Sequence, residues 1–389
     1  MKKGIISLII VLLSAGYINA QSVNFIDGKW EDVKAKAKAE NKYLFVDCYT
    51  EWCGFCKMLD KNTFSNAKVA EIMNKNFVSV KIDMEKDYGI NLCMKYRVNG
   101  FPTALVFNPE GQLVYRIMGY AEPAQYLELI NKALDPATQS GYKGITDKVD
   151  LDFPHFYRDV YAGNGKRKWP EKKTVTDFLD QQKDLFNEVS WSVLATLGGG
   201  EKYTQYLLNN IDEYSKLYGS EVDEKVNAIL YQKLDDAIKN KDENKFIACL
   251  NDVGKYISVN KEETLQTFKL TYYSGVNDWM SFTQEFKVYI EKNGYKDVNS
   301  INSYCWGIYE KCNDPKIISQ AAEWMKNAIE KDSQYAFVDT YASLLYKSRN
   351  YSEAEKIANL AISTGKKAGE DVKTTEELLV KIKKDASGK

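Results

Sequence analysis

In the first third of the chain, stretches with the apolar pattern of a strand alternate with stretches whose apolar residues recur at helical spacing. This pattern predicts alternating strands and helices. Residues 43–49 form an apolar run typical of a strand buried on both faces, and residues 77–83 are apolar at every second position. Residues 30–41 repeat apolar positions at helical spacing. The predicted strands are 23–26, 43–49, 77–83, 103–108 and 112–118, and the predicted helices are 30–41, 53–61, 67–74, 90–97 and 123–134. With 67–74 counted as a continuation of the helix at 53–61, the order β-α-β-α-β-α-β-β-α predicts an α/β sheet covered by helices.

Beyond residue 135 the pattern is helical throughout and predicts an all-α domain over residues 136–389. Near the end, a set of mostly small residues is repeated at about the 34-residue period of tetratricopeptide repeats. The repeating positions are Ala321, Trp324 and Ala328, followed by Ala354, Ala358 and Ala361. We therefore expect a tetratricopeptide-like helical domain, with a generic helical bundle as the alternative.

The composition excludes several classes of function. The 389 residues carry 53 basic and 54 acidic side chains, a net charge of −1, so nothing suggests a nucleic-acid or anionic-membrane partner. The single histidine, His155, excludes a multi-histidine metal site within one chain, and its Phe-Pro-His setting indicates a surface or packing residue. The length allows two or three domains.

The N-terminus has the pattern of a signal peptide over residues 1–20. Lys2 and Lys3 precede an apolar run at 5–13, and Ile18-Asn19-Ala20 resembles a cleavage site before Gln21. The alternative is an uncleaved anchor, although the apolar run is short for a membrane span. No later segment could cross a bilayer, so we expect an exported, periplasmic and soluble mature chain without membrane insertion.

The candidate chemistry lies in Cys53-Gly54-Phe55-Cys56, directly after the strand at 43–49. Cysteines three apart at a helix start can form a disulfide, and the unpaired N–H groups of that turn favour a thiolate at Cys53. A strand followed by Cys-x-x-Cys is typical of a redox site. The alternatives are a structural disulfide or half of a zinc site, but the chain has no second Cys-x-x-Cys.

The sequence around this pair resembles the thioredoxin family over residues 24–135. Trp52-Cys53-Gly54-Phe55-Cys56-Lys57 matches Trp-Cys-Gly-x-Cys-Lys, Asp47 matches the family's buried acid, and Gly100-Phe101-Pro102-Thr103 matches its cis-proline loop. Gly119, which follows the last predicted strand, also matches the family's pattern. The flanking residues are most similar to the branch that contains the C-terminal domain of the periplasmic thiol:disulfide interchange protein. The flanking stretches are 39–42, 60–64 and 69–74.

The resemblance implies a thioredoxin fold for residues 21–135 and a role for each site residue. Cys53 is expected to attack a substrate disulfide and Cys56 to resolve the mixed disulfide. Asp47 is expected to exchange a proton with Cys56. Pro102 should be cis and face Cys53, while Phe101 offers its backbone N–H and C=O to an extended substrate segment.

The neighbours of the pair are expected to contact substrate or tune the site. Trp52, Gly54 and Phe55 would line the substrate-binding surface, and Lys57 would modulate the charge of the site. The dithiol itself is the redox centre, so neither a metal nor an organic cofactor is expected. Cys48 and Cys93 are predicted to be small apolar core residues. Cys305 and Cys312 are too far apart on one helix to bond, and could pair only if a turn at Asn313-Asp314 begins early.

These features predict an exported thiol:disulfide oxidoreductase, foremost a protein-disulfide reductase. Its partners would be protein disulfide substrates and an upstream thiol electron donor, for which a membrane-bound protein is a candidate. Gly-Phe stands where the family most often has Gly-Pro, which leaves disulfide isomerisation as an alternative. A scaffold that uses the fold and the helical repeats only to bind partners is a third hypothesis.

Overall fold

The computed structural model describes residues 22–162 and 167–388. The chain divides into two units, one up to Lys225 and one from Val226 onward. The predicted signal peptide at 1–20 lies outside the described residues.

The first unit contains a five-stranded mixed sheet, as the hydrophobic pattern predicts. The strand order is β1-β3-β2-β4-β5, with β1 and β2 parallel to β3, and with β4 antiparallel to both β2 and β5. The strands are β1 Phe25–Ile26, β2 Tyr43–Tyr49, β3 Phe77–Asp83, β4 Thr103–Phe107 and β5 Leu113–Met118. Every residue of β4 is buried, which agrees with a central position covered on both faces.

Helices cover this sheet and bury a shared core. Phe45 of β2 and Val106 of β4 pack in one cluster with Val69 and Ile130 of two covering helices. The helices are α1 Trp30–Ala39, α2 Gly54–Met58, α3 Ala67–Asn76, α4 Asp87–Lys95 and α5 Pro123–Leu134. A π-helical segment, Leu59–Phe64, continues α2. The Asn66 side chain caps α3 by accepting from the N–H groups of Lys68 and Val69.

Further helices complete the first unit, and the described residues after Met118 contain no strand. They are α6 His155–Tyr161, α7 Lys172–Asp180, α8 Glu188–Leu197, α9 Glu201–Asn209 and α10 Ile211–Tyr218, followed by α11 Ser220–Asn240, which continues past Lys225. Buried aromatic rings join these helices, as where Trp191 stacks on Tyr218 with ring centroids 4.8 Å apart.

The second unit is entirely helical among its described residues. After α11 its helices are α12 Glu243–Tyr256, α13 Lys261–Val276, α14 Trp279–Asn293, α15 Val298–Lys311, α16 Pro315–Ile329, α17 Tyr335–Lys347, α18 Tyr351–Ala368 and α19 Lys373–Ala386. Ala342 of α17 and Ala354 and Ala358 of α18 are fully buried in one cluster. The small residues that suggested a repeat therefore lie where helices pack, and the tetratricopeptide assignment stays a prediction.

Candidate active site

Cys53 and Cys56 form a disulfide at the start of α2, directly after β2. Their Cα atoms are 5.3 Å apart, and the residues are only 3% and 4% exposed. Cys53 is the N-cap of the helix, and its Sγ accepts a hydrogen bond from the Cys56 N–H at 3.0 Å. The same N–H can stabilise a thiolate on Cys53 once the disulfide is reduced.

Large apolar side chains surround the buried sulfurs and are themselves exposed. Trp52 is 62% exposed and Phe55 is 59% exposed. The Trp52 ring contacts the Phe101 ring edge to face at 6.1 Å, and its Nε1 donates to Glu85 Oε2 at 2.9 Å. The Phe55 ring lies 6.3 Å from that of Tyr120. Exposed aromatic groups that flank reactive atoms are typical of a surface for a protein partner.

The loop before β4 contains a cis peptide bond between Phe101 and Pro102, as expected from the sequence. Pro102 is buried and Phe101 is half-buried. Gly119, whose φ of +82° favours glycine, donates its N–H to the Pro102 carbonyl at 2.9 Å. Within residues 22–162 and 167–388, the backbone N–H and C=O of Phe101 have no hydrogen-bond partner. They are therefore available to an extended segment of another molecule.

Asp47 lies in the middle of β2 and is 1% exposed. Its Oδ2 is 3.3 Å from Lys81 Nζ on β3, and Lys81 also contacts the more exposed Asp60. Burial raises the pKa of Asp47 to about 6, Lys81 opposes that shift, and Asp60 adds to it. Oδ1 of Asp47 has no hydrogen-bond partner in the described part of the chain. The carboxyl group can therefore gain or lose a proton near neutral pH.

Two further predicted site residues, Gly54 and Lys57, lie on the surface of α2. A Cβ added to Gly54 would meet nothing within 4 Å, so the backbone beside Cys53 is open. Lys57 is exposed, and its N–H donates to the Cys53 carbonyl at 3.3 Å. The pKa of Glu51 is lowered mainly by its hydrogen bond with Lys86, with a smaller contribution from Lys57.

The sequence-based prediction missed Lys81 and Glu85. Lys81 occupies a polar position in the alternation of its strand, between Val80 and Ile82, so the pattern does not distinguish it from a solvent-facing residue. The parallel register then places it opposite Asp47. Glu85 follows β3 in a turn and has no periodic signal, so its contact with Trp52 could not be predicted from one sequence.

The other cysteines are free and buried, which agrees with the prediction for Cys48 and Cys93 and shows Cys305 and Cys312 unpaired. Burial raises the pKa of the Cys93 thiol to about 12 and that of Cys249 to about 11, so neither is ionised at neutral pH. The free cysteines are Cys48, Cys93, Cys249, Cys305 and Cys312. The lone His155 is also outside the site, because it begins α6 with an exposed side chain 3.2 Å from Asp159.

The described residues contain neither a metal-binding cluster nor a membrane-spanning helix. Within residues 22–162 and 167–388, no group of three or more His, Cys, Asp or Glu side chains is arranged to hold a metal ion. No helix in those same ranges has both the length and the apolar character that crossing a membrane requires.

Comparison with known proteins identifies the part of the chain that holds this site. Residues 30–134 match the family described as thioredoxin-like domain. The protein disulfide-isomerase of Zea mays is 28% identical over 104 residues, which are 27% of this chain and 20% of that protein. The thiol:disulfide interchange protein DsbD of Yersinia pestis (strain Pestoides F) is 32% identical over 95 residues, 24% of this chain and 16% of that protein.

A solved structure also matches part of the chain. The solution structure of a proposed disulphide-isomerase from Bacteroides thetaiotaomicron is 37% identical, covers 30% of this chain and 96% of its own, and has a TM-score of 0.29. The chain thus spans a fifth or less of the length of each of the two curated relatives named above. Together with the mixed sheet and the Cys53–Cys56 pair, the family match shows that residues 30–134 form a thioredoxin-like domain.

Proposed function

We propose that this chain is an exported thiol:disulfide oxidoreductase that reduces disulfides in other proteins. The observation that carries the proposal is the Cys53–Cys56 pair at a helix start, beside a loop whose Phe101 backbone groups have no partner among the described residues. The exposed rings of Trp52 and Phe55 provide apolar contact area around the sulfurs. A protein substrate can use both features, because it has a backbone and apolar side chains next to its disulfide.

The first step is attack by the Cys53 thiolate on one sulfur of the substrate disulfide. A bond forms between Cys53 Sγ and that sulfur, and the other substrate sulfur leaves as a thiolate that takes a proton from water. The result is a mixed disulfide between substrate and enzyme. The N–H of Cys56 stabilises the negative charge on Cys53 before attack.

The second step releases the substrate. Cys56 gives its proton to Asp47, and the resulting thiolate attacks Cys53 Sγ, which forms the Cys53–Cys56 bond and expels the second substrate sulfur as a thiolate. Two electrons pass from the dithiol to the substrate disulfide. An upstream dithiol donor, for which a membrane-bound protein is the candidate, then reduces Cys53–Cys56 again, so no metal or organic cofactor is needed. Lys57 would modulate the charge near the reacting sulfurs.

Export is supported by the sequence of residues 1–20, which carries the features of a cleaved signal peptide. A periplasmic location is consistent with substrates that contain disulfides, because such bonds persist in oxidising compartments. The helical region from residue 136 onward, with its tetratricopeptide-like end, is proposed to bind protein partners.

Disulfide isomerisation is the second candidate, favoured by the relatives that are named protein disulfide-isomerase. An isomerase needs Cys53 to attack, but it leaves its substrate oxidised. Reactivation of scrambled ribonuclease without added reductant would favour isomerisation over reduction. A scaffold that only binds partners would need neither thiol.

The decisive experiment is reduction of insulin with dithiothreitol as electron donor. The wild type should accelerate insulin precipitation, and Cys53→Ser should not. Cys249→Ala removes a free cysteine of the second unit and should retain the wild-type rate, which makes it the matched control. Equal rates for wild type and Cys53→Ser would contradict the proposed function.

A further inference from the structure

The segment that leads into the cis-proline loop is held by residues beyond the thioredoxin-like domain. Lys95, the last residue of α4, has its Nζ 2.6 Å from Glu188 Oε1 on α8, and both side chains are buried. Two residues later, Arg97 Nη2 lies 2.7 Å from Glu221 Oε2 at the start of α11, again with both buried. Buried ion pairs resist separation because each partner would be left as an unpaired charge. The backbone of residues 95–97 is therefore held at two points.

The next contacts reach the loop itself. The Tyr161 hydroxyl, at the end of α6, donates to Asn99 Oδ1 at 3.0 Å. Arg167 Nη1 donates to the Asn99 backbone carbonyl at 3.3 Å. Tyr161 is buried, so packing fixes the position of its hydroxyl group. The side chain and the backbone of Asn99 are thus both bound from outside the thioredoxin-like domain.

Asn99 is two residues from Phe101, with only Gly100 between them. A Cβ at Gly100 would meet nothing within 4 Å, so packing around this residue does not restrict the backbone. Glycine also has the widest conformational freedom of any residue. The Gly100 carbonyl accepts from Thr103 Oγ1 at 2.8 Å, so this bond and the contacts to Asn99 together limit how far the backbone groups of Phe101 can move relative to Cys53.

We propose that Tyr161 and Arg167 are positioning residues, which hold the Asn99–Pro102 loop where the Phe101 backbone can bind an extended protein substrate. The proposal rests on the function proposed above, because it concerns how the same site binds its substrate. The helices after residue 135 thereby contribute to the affinity of the redox site for proteins. A small disulfide without a peptide backbone does not need the loop, so its reduction should be insensitive to these residues.

The test compares variants of the full chain with matched controls. Tyr161→Phe removes one contact to Asn99, and Tyr161→Phe with Arg167→Met removes both. Tyr214→Phe is the matched tyrosine control, because its buried hydroxyl donates to the Leu185 carbonyl, away from the loop. Arg158→Met is the matched arginine control, because this residue also donates to backbone carbonyls outside the loop.

Steady-state kinetics give the first readout. We expect KM for insulin to rise roughly three- to tenfold in Tyr161→Phe, the effect of one neutral hydrogen bond, and further in the double variant. The kcat value, the reduction potential of the Cys53–Cys56 couple and the reduction rate of a small aromatic disulfide should be unchanged. Both controls should match the wild type. An unchanged KM in the double variant would overturn the positioning role.

Hydrogen exchange gives a readout that does not depend on activity. The N–H of Gly119 donates to the Pro102 carbonyl, and the N–H of Val98 donates to the Cys93 carbonyl, so both report on the ends of the loop. These two amides should exchange faster in the double variant and not in the controls. Unchanged exchange at both would overturn the proposal. A wild type that reduces no disulfide would instead refute the proposed function, and the exchange comparison would still decide whether these contacts hold the loop.

Discussion

At the scale of single residues, Asp47 is the group on which the proposed second step depends. Its side chain is buried in β2, its pKa is raised by burial to about 6, and Oδ1 has no hydrogen-bond partner within residues 22–162 and 167–388. At pH 7 most of the carboxyl group is therefore ionised and able to accept a proton. A buried carboxylate oxygen without a hydrogen bond lowers the stability of the fold, which indicates a chemical rather than a structural role for Asp47.

Asp47→Asn should slow the resolution of the mixed disulfide by Cys56. The amide keeps the size of the side chain but cannot accept the proton, so the rate should fall by roughly the hundredfold to ten-thousandfold that a general base supplies. In the wild type the rate should rise as the pH passes through about 6, and the difference from the variant should shrink at high pH as hydroxide takes over. Stopped-flow reduction of a model disulfide across pH measures both effects. Asp177→Asn is the control, because this exposed carboxylate pairs with Lys173 on α7 and should remain close to wild type.

The same replacement should stabilise the oxidised protein near neutral pH. The folded pKa of about 6 exceeds the ordinary value of 3.8, so the folded state binds the proton more tightly than the unfolded chain. Ionisation of Asp47 therefore lowers stability as the pH rises from 3.8 to 6, and the full loss is present above about 6. This shift corresponds to about 3 kcal/mol. Urea unfolding should show Asp47→Asn more stable at pH 7 and little changed at pH 4; equal stability at both would contradict the raised pKa.

The two cysteines should differ when each is replaced in turn. With Cys56→Ser, attack by Cys53 still occurs but nothing resolves the product, so mixed disulfides with substrate proteins should accumulate. With Cys53→Ser, the remaining Cys56 thiol lies inside the helix and lacks the N-cap position that stabilises a thiolate on Cys53, so it should trap little. Non-reducing gels after acid quenching measure the adducts. Similar amounts from both variants would show that the assignment of attacking and resolving residues is wrong.

At the scale of elements, the pairing of β2 with β3 creates the environment of Asp47. The parallel register places Asp47 opposite Lys81, and the Lys81 ammonium is also within 6 Å of the ring centroids of Phe25, Tyr49 and Phe64. The aromatic rings and Asp60 hold the ammonium near the carboxylate. The strand pairing thus places a positive charge that limits how far burial raises the pKa of Asp47.

Lys81→Met should move the pH profile of resolution to higher pH. Lys81 opposes the rise in the pKa of Asp47, so its loss should raise that pKa further above 6, while methionine retains the length and the apolar contacts. The pH at which the resolution rate reaches half its plateau should increase. The plateau itself should change little, because Asp47 remains the base. A profile that does not move would show that the Lys81 charge has no effect on Asp47.

The elements that the sequence predicts best are those whose pattern is local. The bounds of β2 and β3 agree with the prediction because β2 is a mostly apolar run and β3 has apolar residues at every second position. Helix α4 was predicted at 90–97 but spans Asp87–Lys95, since Arg97 adopts a left-handed φ of +51° and directs its guanidinium to Glu221. That partner is 124 residues away, so no local pattern could reveal the early end. The π-helical continuation of α2 likewise has no hydrophobic signal of its own.

The candidate site could be predicted to the extent that it follows a motif. Cys53, Cys56 and the cis bond before Pro102 were placed by the resemblance to a known family, and the structure has them adjoining the same sheet. Lys81 and Tyr161 were missed. Their contacts depend on strand register and on helix packing across long sequence separations, neither of which a single sequence specifies.

At the scale of the first unit, a buried charge cluster joins the sheet to the helices that follow it. Glu221 pairs with Arg97 and Arg116 and accepts from Trp191 Nε1 at 3.0 Å. Burial alone would raise the pKa of Glu221, but the two guanidinium groups outweigh it and hold the pKa below its usual range. The predicted domain boundary at residue 135 stays a prediction, and these contacts bring together residues on both sides of it.

Glu221→Gln should strongly destabilise the first unit. Removing the carboxylate leaves two buried guanidinium groups without their partner, which typically costs about 3–5 kcal/mol. Glu213→Gln is the control, because its pair with Lys216 is exposed and should be worth less than about 1 kcal/mol. Urea unfolding followed by circular dichroism measures both. A loss of stability in Glu221→Gln no larger than in the control would indicate that the cluster is not coupled to folding.

The charge cluster also limits how this sequence can evolve. The guanidinium groups of Arg97 and Arg116 share the single buried carboxylate of Glu221, so a neutral residue at 221 leaves both without a counter-charge. Homologues that keep the helices after residue 135 should therefore lose this carboxylate only together with both arginines. An alignment of such homologues would show the positions covarying, whereas relatives that contain only the thioredoxin-like domain would be free to vary at 97 and 116.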